Sequence, residues 1–391
     1  MLFTRRRVQG LALIVAGALG TLTVLGMVVA IIIGMIVPTE KHTSPTQASA
    51  APNLPTTPGG DVFGTIEIGS NGVKGIVWHI TPAKAKALFA QKPGADAARY
   101  QIFAHAMVRH YDDFNTKLQD ARNIGAAADA VADFVKRMRS EHVPLANIYI
   151  VASSGVADLP QLAEIKLQVA GRTGKSPDVI TAERECSYTF EWVVPDSHTY
   201  DSAVVDVGSG NTKACYVEHG TYGDRVRGLE LVSYGAKTFE TKVNAERKPG
   251  EDFARISARI SGAALDPPIE DGVAGNPGLL TRPLVYLSGG TAWVTAMLMH
   301  PAERDDDYIL LSVPIDFTVL RKKAVAETAD LASLGDPFTP HQLVAGLDVA
   351  SAVANELNLK RRAVLFPAPA RDAWMSNYLM NKLAESETQG E

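Results

Sequence analysis

Residues 203–217 read Ala203-Val204-Val205-Asp206-Val207-Gly208-Ser209-Gly210-Asn211-Thr212-Lys213-Ala214-Cys215-Tyr216-Val217, two apolar runs joined by a short turn of small residues. The runs predict a β-hairpin, and the turn predicts its use. Gly208 and Gly210 accept φ > 0 and carry no Cβ, so backbone N–H groups of the turn can converge on an anion. Asp206 ends a buried strand and directs a carboxylate at whatever the turn holds, most simply a divalent metal on a phosphate. Upstream, Gly64-Thr65-Ile66-Glu67-Ile68-Gly69-Ser70-Asn71-Gly72-Val73-Lys74-Gly75-Ile76-Val77-Trp78 repeats the order of acid, apolar residue, Gly, small polar residues and second strand. Two such turns predict two related lobes that grip one phosphate chain and its metal from opposite sides. A third piece, Pro283-Leu284-Val285-Tyr286-Leu287-Ser288-Gly289-Gly290-Thr291-Ala292, runs a buried strand into a Gly-Gly turn at a helix start, where N-terminal N–H groups face a ligand.

Strands and helices alternate on both sides of the central hairpin, which predicts three-layer α/β lobes. In the first lobe, Val62–Ile80 predicts two strands and Ile102–Tyr111 a third. Ala126–Arg139 carries apolar residues at helical spacing. Ile148–Ala152 is a short strand, Leu159–Ala170 a helix and Val179–Thr181 another strand. In the second lobe, Val226–Tyr234 predicts a strand and Phe253–Ile260 a helix. Leu265–Thr281 reads as a connection broken by Pro and Gly. Trp293, Val294 and Met297 read as core, His341–Leu357 as a helix, Ala363–Phe366 as a last strand and Trp374–Leu383 as a closing helix. His105, His110 and His142 lack metal-ligand spacing, and Asp305-Asp306-Asp307 reads as a solvated loop, because consecutive side chains cannot all converge on one ion.

The three Gly-rich motifs, in this order, resemble those of the actin, hsp70 and sugar-kinase superfamily. Their wording narrows the resemblance to the exopolyphosphatase and guanosine pentaphosphate phosphatase family, over roughly Asp61–Leu383. The fold this implies is two ribonuclease H-like (actin-like) lobes with a cleft between them. Ile180-Thr181-Ala182-Glu183-Arg184-Glu185-Cys186 resembles the family's strand-to-helix segment with paired acids. In that register Glu185 falls on the glutamate implied to position or deprotonate the attacking water, although acids in a first helical turn are also favoured by the macrodipole alone. Ser233-Tyr234-Gly235-Ala236 resembles the family's Ser-x-x-Gly-Ala segment. The resemblance implies Mg2+ or another divalent cation held by Glu67 and Asp206. It implies phosphate bound at Gly69, Ser70, Asn71, Gly208, Ser209, Gly210, Asn211, Thr212, Lys213, Gly235, Gly289 and Gly290. The chain departs from the family pattern at three places: Glu67 stands where Asp is usual, Ala157 where Arg is usual, and Asn211-Thr212-Lys213 where Ser-Thr-Glu is usual. Lys213 can bind phosphate as a point charge, or mark a site that binds without turnover.

At 391 residues and a net charge of −5, the chain can bury about two domain cores and offers no general electrostatic case for nucleic acid. Its two cysteines, Cys186 and Cys215, form no disulfide framework and no zinc site, and the reading favours free thiols over a bridge. Arg5, Arg6 and Arg7 precede an uncharged apolar run from Val8 to Val37, longer than the roughly 20 residues that cross a bilayer and than the core of a signal peptide, despite Ala48-Ser49-Ala50. A retained anchor with its N-terminus in the cytoplasm follows from the positive-inside rule. The expected organisation is a cytoplasmic tip and anchor over residues 1–37, a Pro-, Thr-, Ser- and Ala-rich linker over 38–60, and lobes over 61–200 and 201–391.

Three functions compete at this point. The first is a membrane-anchored phosphoanhydride hydrolase acting outside the cytoplasm on polyphosphate or nucleotides, as a monomer or a homodimer. The second is a weakly active or inactive phosphate-binding sensor or assembly protein of the same fold. The third is a filament-forming actin relative.

Overall fold

The computed structural model describes residues 61–80, 107–113, 123–221, 223–304, 306–334, 338–367 and 373–388. The expected span at 8–37 and linker at 38–60 lie outside them, as do His105, Asp305 and the beginning of the strand expected from Ile102. Among the described residues no helix is long and apolar enough to cross a membrane.

The first sheet contains β1 (Asp61–Ile68), β2 (Val73–Ile80), β3 (Met107–Asp113), β4 (Ile148–Ala152) and β5 (Asp178–Val179), in the order β3-β2-β1-β4-β5. Period-two alternation divides β1 between two cores. Ile66 and Ile68 face the apolar stripe of α1 (Ile124–Ser140), built from Ala127, Val131, Phe134, Val135 and Met138, with Ile165 and Val169 of α2 (Leu162–Thr173) beside it. Phe63 faces the opposite way, into a core shared with α3 (Ala182–Val193) and with the second sheet. Thr65 and Glu67 follow Phe63 on that face, and the Thr65 hydroxyl accepts the Trp78 indole N–H at 3.0 Å.

The second sheet contains β6 (Ser202–Val207), β7 (Thr212–Gly220), β8 (Gly223–Val232), β9 (Leu284–Ser288), β10 (Tyr308–Leu311) and β11 (Ala363–Pro367), in the order β10-β11-β9-β6-β7-β8. Read from β8, the series β8-β7-β6-β9-β11 repeats β3-β2-β1-β4-β5. In each, two antiparallel pairings are followed by two parallel ones. β10 adds an antiparallel edge strand. The two acid-bearing hairpins are therefore the same element in two copies of one topology.

Helices α4 (Ala236–Glu246), α5 (Phe253–Ala274), α6 (Gly290–Met299), α7 (Ile315–Val325), α8 (Pro340–Glu356) and α9 (Ala373–Thr388) complete the body. Three findings correct the sequence reading. α5 runs unbroken through Pro267 and Pro268, because Leu265, Ile269 and Val273 continue a buried stripe at four-residue spacing and packing outweighs the lost backbone bonds. β10 and α7 were not expected, although Tyr308–Leu311 is a short apolar run and Phe317, Leu320 and Ala324 fall at helical spacing.

The third correction is covalent. Cys186 of α3 and Cys215 of β7 form a disulfide with Cα atoms 6.0 Å apart, closing a sequence separation of 29 residues. Sequence alone gives no Cα distance, and the pairing exists only because α3 packs across β7. Loop-closure entropy for a ring of this size is worth about 3–4 kcal/mol. The double variant Cys186→Ala/Cys215→Ala should lower the urea midpoint of the full chain with an equal or steeper slope, because the unfolded chain is no longer cross-linked, and reductant should give the wild type the same midpoint.

Candidate functional site

The two hairpin turns, the loop after β4, the first turn of α3 and the corner between β9 and α6 converge on one cavity of about 130 Å³. Of the residues singled out from the sequence, Glu67, Gly69, Ser70, Asn71, Glu185, Asp206, Gly208, Ser209, Gly210, Asn211, Lys213, Gly289 and Gly290 all line it. Glu67 and Asp206, which lie in different sheets, thus face the same space. The halves touch directly beneath it: a Cβ on Gly210 would lie 2.6 Å from the Gly155 Cα and 2.9 Å from the Ser70 Oγ, so only two glycines let these backbones meet.

Thr212 and Gly235 stand outside the lining. The Thr212 hydroxyl donates to the Tyr234 carbonyl at 2.8 Å, beneath the turn. Gly235 caps α4, whose first N–H groups do not face the cavity. Ala236 N–H donates to the Gly208 carbonyl, and Lys237 and Thr238 N–H to the Ser209 carbonyl, at 2.9, 2.9 and 3.2 Å. The Thr238 hydroxyl donates to the Gly210 carbonyl at 2.6 Å. A trans peptide points its C=O and N–H in opposite directions, so holding these carbonyls turns the N–H groups of Ser209, Gly210 and Asn211 away from α4. Gly235 therefore supports the turn from the side away from the cavity. Gly289 has φ 91°, and a Cβ there would lie 2.5 Å from Asp206 Oδ1, which leaves glycine as the residue that fits.

The charged groups form a buried network. Lys213, 2% exposed, places Nζ 2.6 Å from Glu185 Oε1 and 3.2 Å from Asp206 Oδ2. The second Glu185 oxygen accepts the Ser154 N–H at 2.8 Å, so the loop after β4 in the first half fixes an acid that a lysine of the second half neutralises. Asn211 donates to Glu230 at 2.7 Å and to the Ser154 hydroxyl at 3.2 Å, bridging the same halves. Burial pushes the Glu185 carboxyl up, but the Lys213 ammonium and the Ser154 N–H outweigh it, and the net shift is downward: Glu185 is ionised at neutral pH. Asp206 is shifted upward, by burial first and by the Glu185 charge against the opposing pull of Lys213. Burial opposes the charge on Lys213, yet Asp206 and Glu185 raise it well above the ordinary lysine value. Asp206 Oδ1 is buried without a hydrogen-bond partner.

Residues 105–271 match the family model described as the Ppx/GppA phosphatase family, a segment that carries both Glu185 and the central hairpin. Over this segment the chain is similar to the Ppx/GppA phosphatase family. Three solved structures share the fold. An exopolyphosphatase from Cytophaga hutchinsonii is 14% identical, covers 82% of this chain and 98% of its own, and superposes with a TM-score of 0.57. An exopolyphosphatase-like protein is 15% identical, with 83% and 98% covered and a TM-score of 0.58. The Aquifex aeolicus Ppx/GppA family member is 14% identical, with 84% and 99% covered and a TM-score of 0.52. No curated protein matches the chain.

The divalent cation that the Ppx/GppA resemblance implies meets a donor set that does not fit it. Among the described residues no three His, Cys, Asp or Glu side chains gather as a metal site. Asp206 and Glu185 already share the Lys213 ammonium, and Glu67 Oε2 lies 3.1 Å from Lys74 Nζ. A dication about 4 Å from such an ammonium is repelled by roughly 8 kcal/mol at an effective dielectric near 20.

Several lining residues escaped the sequence reading. Lys74 was legible: it follows Glu67 by the same seven positions that separate Lys213 from Asp206. Phe338 and Trp374 were not, being far away in sequence. Trp293, expected in the core, lines the cavity with them, its ring 6.5 Å from that of Phe338. The contact between Gly155 and Gly210 gives a direct test. Gly210→Ala should weaken phosphate-ligand binding at least tenfold, because a methyl group within 3 Å of backbone forces the halves apart. Native binding in a folded Gly210→Ala protein, measured by calorimetry, would contradict this geometry.

Proposed function

We propose that the protein is a phosphohydrolase that cleaves phosphoanhydride bonds of polyphosphate or nucleotides, and that it works outside the cytoplasm from a single N-terminal membrane anchor. The observation that carries the reading is the ionised Glu185 carboxylate held between two phosphate-type turns that open into one cavity.

The cavity is far below the ~300–1,000 Å³ that encloses a drug-sized ligand, which favours entry of the phosphate end of a longer molecule. Turn N–H groups of Ser209, Gly210 and Asn211 bind its oxygens, and Lys213 adds positive charge. A carboxylate has about four lone-pair sites. Glu185 gives one oxygen to Lys213 and the other to Ser154 N–H, which leaves room for a water molecule. That water, aligned by Glu185, attacks phosphorus in line and passes a proton to the Glu185 carboxylate, and the bond to the bridging oxygen breaks as the remaining phosphate chain leaves with the electron pair. No metal is invoked in this scheme.

Support for the location comes from two independent features. The Arg5–Arg7 cluster before the apolar run orients the anchor with its N-terminus inside. The Cys186–Cys215 disulfide suits an oxidising compartment, as disulfides persist outside the cytoplasm and are rare within it.

A second reading, a phosphate-binding protein without turnover, is favoured by one observation: Lys213 neutralises the acids that would activate water. Phosphate release by the full chain in detergent, with polyphosphate, ATP and ADP, separates the two. We expect release by the wild type, and a loss of at least about a hundredfold in Glu185→Gln with ligand binding retained. Full activity of Glu185→Gln would remove Glu185 from the mechanism, and binding without release by the wild type would select the second reading.

A further inference from the structure

The register of the two hairpins pairs acid with lysine in the same way twice. Glu67 lies directly across from Lys74, and Asp206 directly across from Lys213. The resulting Nζ to carboxylate distances are 3.1 and 3.2 Å. Each pair sits at the mouth of a turn in the repeated topology, so the pairs occupy corresponding places on opposite sides of one cavity, and all four residues line it. At these places a divalent cation would otherwise link each acid to a bound phosphate.

We infer that Lys74 and Lys213 are the resident cations of this site, and that a phosphoanhydride ligand is held with no divalent metal between it and the protein. The inference rests on the phosphoanhydride reading above. A lysine ammonium is a compact point charge with three donors. Lys213 directs two of them at Asp206 and Glu185, and the third remains for a phosphate oxygen. The two acids thereby act as anchors that hold the ammonium in place. The preferred ligand is then the metal-free anion, so chelation of metal would not release it.

The test uses the full chain in detergent micelles and has two readouts. In the first, Mn2+ is titrated and its free form followed by electron paramagnetic resonance. The wild type should take up no stoichiometric Mn2+, whereas Lys213→Met, which exposes Asp206 and Glu185 to the cavity without their cation, should gain one site. In the second, inorganic tripolyphosphate binding is measured by calorimetry in EDTA and in Mg2+. Wild-type affinity should be full in EDTA and weaker in Mg2+, which competes by chelating the free tripolyphosphate, while Lys213→Met should weaken at least about tenfold in EDTA and bind more tightly when Mg2+ is added. One Mn2+ bound per wild-type chain and lost in Asp206→Asn, or tripolyphosphate binding that vanishes in EDTA, would overturn the inference. Absence of tripolyphosphate binding in both buffers would instead defeat the functional reading, and Mn2+ uptake by the wild type would still decide the role of the lysines. Should Lys213→Met fail to fold, the wild-type measurements stand by themselves.

Discussion

A lysine ammonium shared by two carboxylates, all three nearly excluded from water, is the constraint on which this molecule turns. Removing three charges from water costs several kcal/mol for each, and the cost is offset only when geometry and additional hydrogen bonds are good. Here Lys213 meets Glu185 and Asp206 at hydrogen-bond distance, and the Ser154 N–H completes Glu185. The three charges belong to β7, α3 and β6, and the completing donor comes from the loop after β4. The network cannot form unless both sheets and α3 are in place, so the site and the fold stabilise one another.

The surrounding backbone repeats this coupling at three further points. Gly155 and Gly210 bring the loop of one half against the turn of the other. The N-terminus of α4 holds three carbonyls of that turn and so fixes which way its N–H groups point. The Cys186–Cys215 bond lies one residue beyond Glu185 and two beyond Lys213. In a strand, residues two apart share a face. Lys213 and Cys215 therefore both face α3, one making the ionic contact and the other the covalent one.

The pseudo-repeat gives the arrangement a chemical consequence. Both hairpins carry an acid at the end of the first strand and a lysine opposite it, so each half brings its own neutralised carboxylate to the cavity. The cavity therefore carries two lysine ammonium groups, each held against a carboxylate, beside the backbone of both turns.

The sequence by itself determined the hairpins, their turns, the doubling of the α/β plan and the candidates Glu67, Glu185 and Asp206. All of these are written in local patterns: period-two apolar runs, glycines at fixed offsets and an acid in a first helical turn. Only the tertiary structure decided the partners. Sequence spacing could not tell that Cys186 reaches Cys215, that Lys213 lies between two acids, that Gly235 supports the turn, or that Phe338 and Trp374 wall the cavity beside Trp293. It also read Pro267 and Pro268 as a break, where the buried stripe of Leu265, Ile269 and Val273 carries α5 through. The physical reason is common to all of these. Each depends on which faces of distant elements are packed together, and that is fixed by burial across the whole chain, which no local window contains.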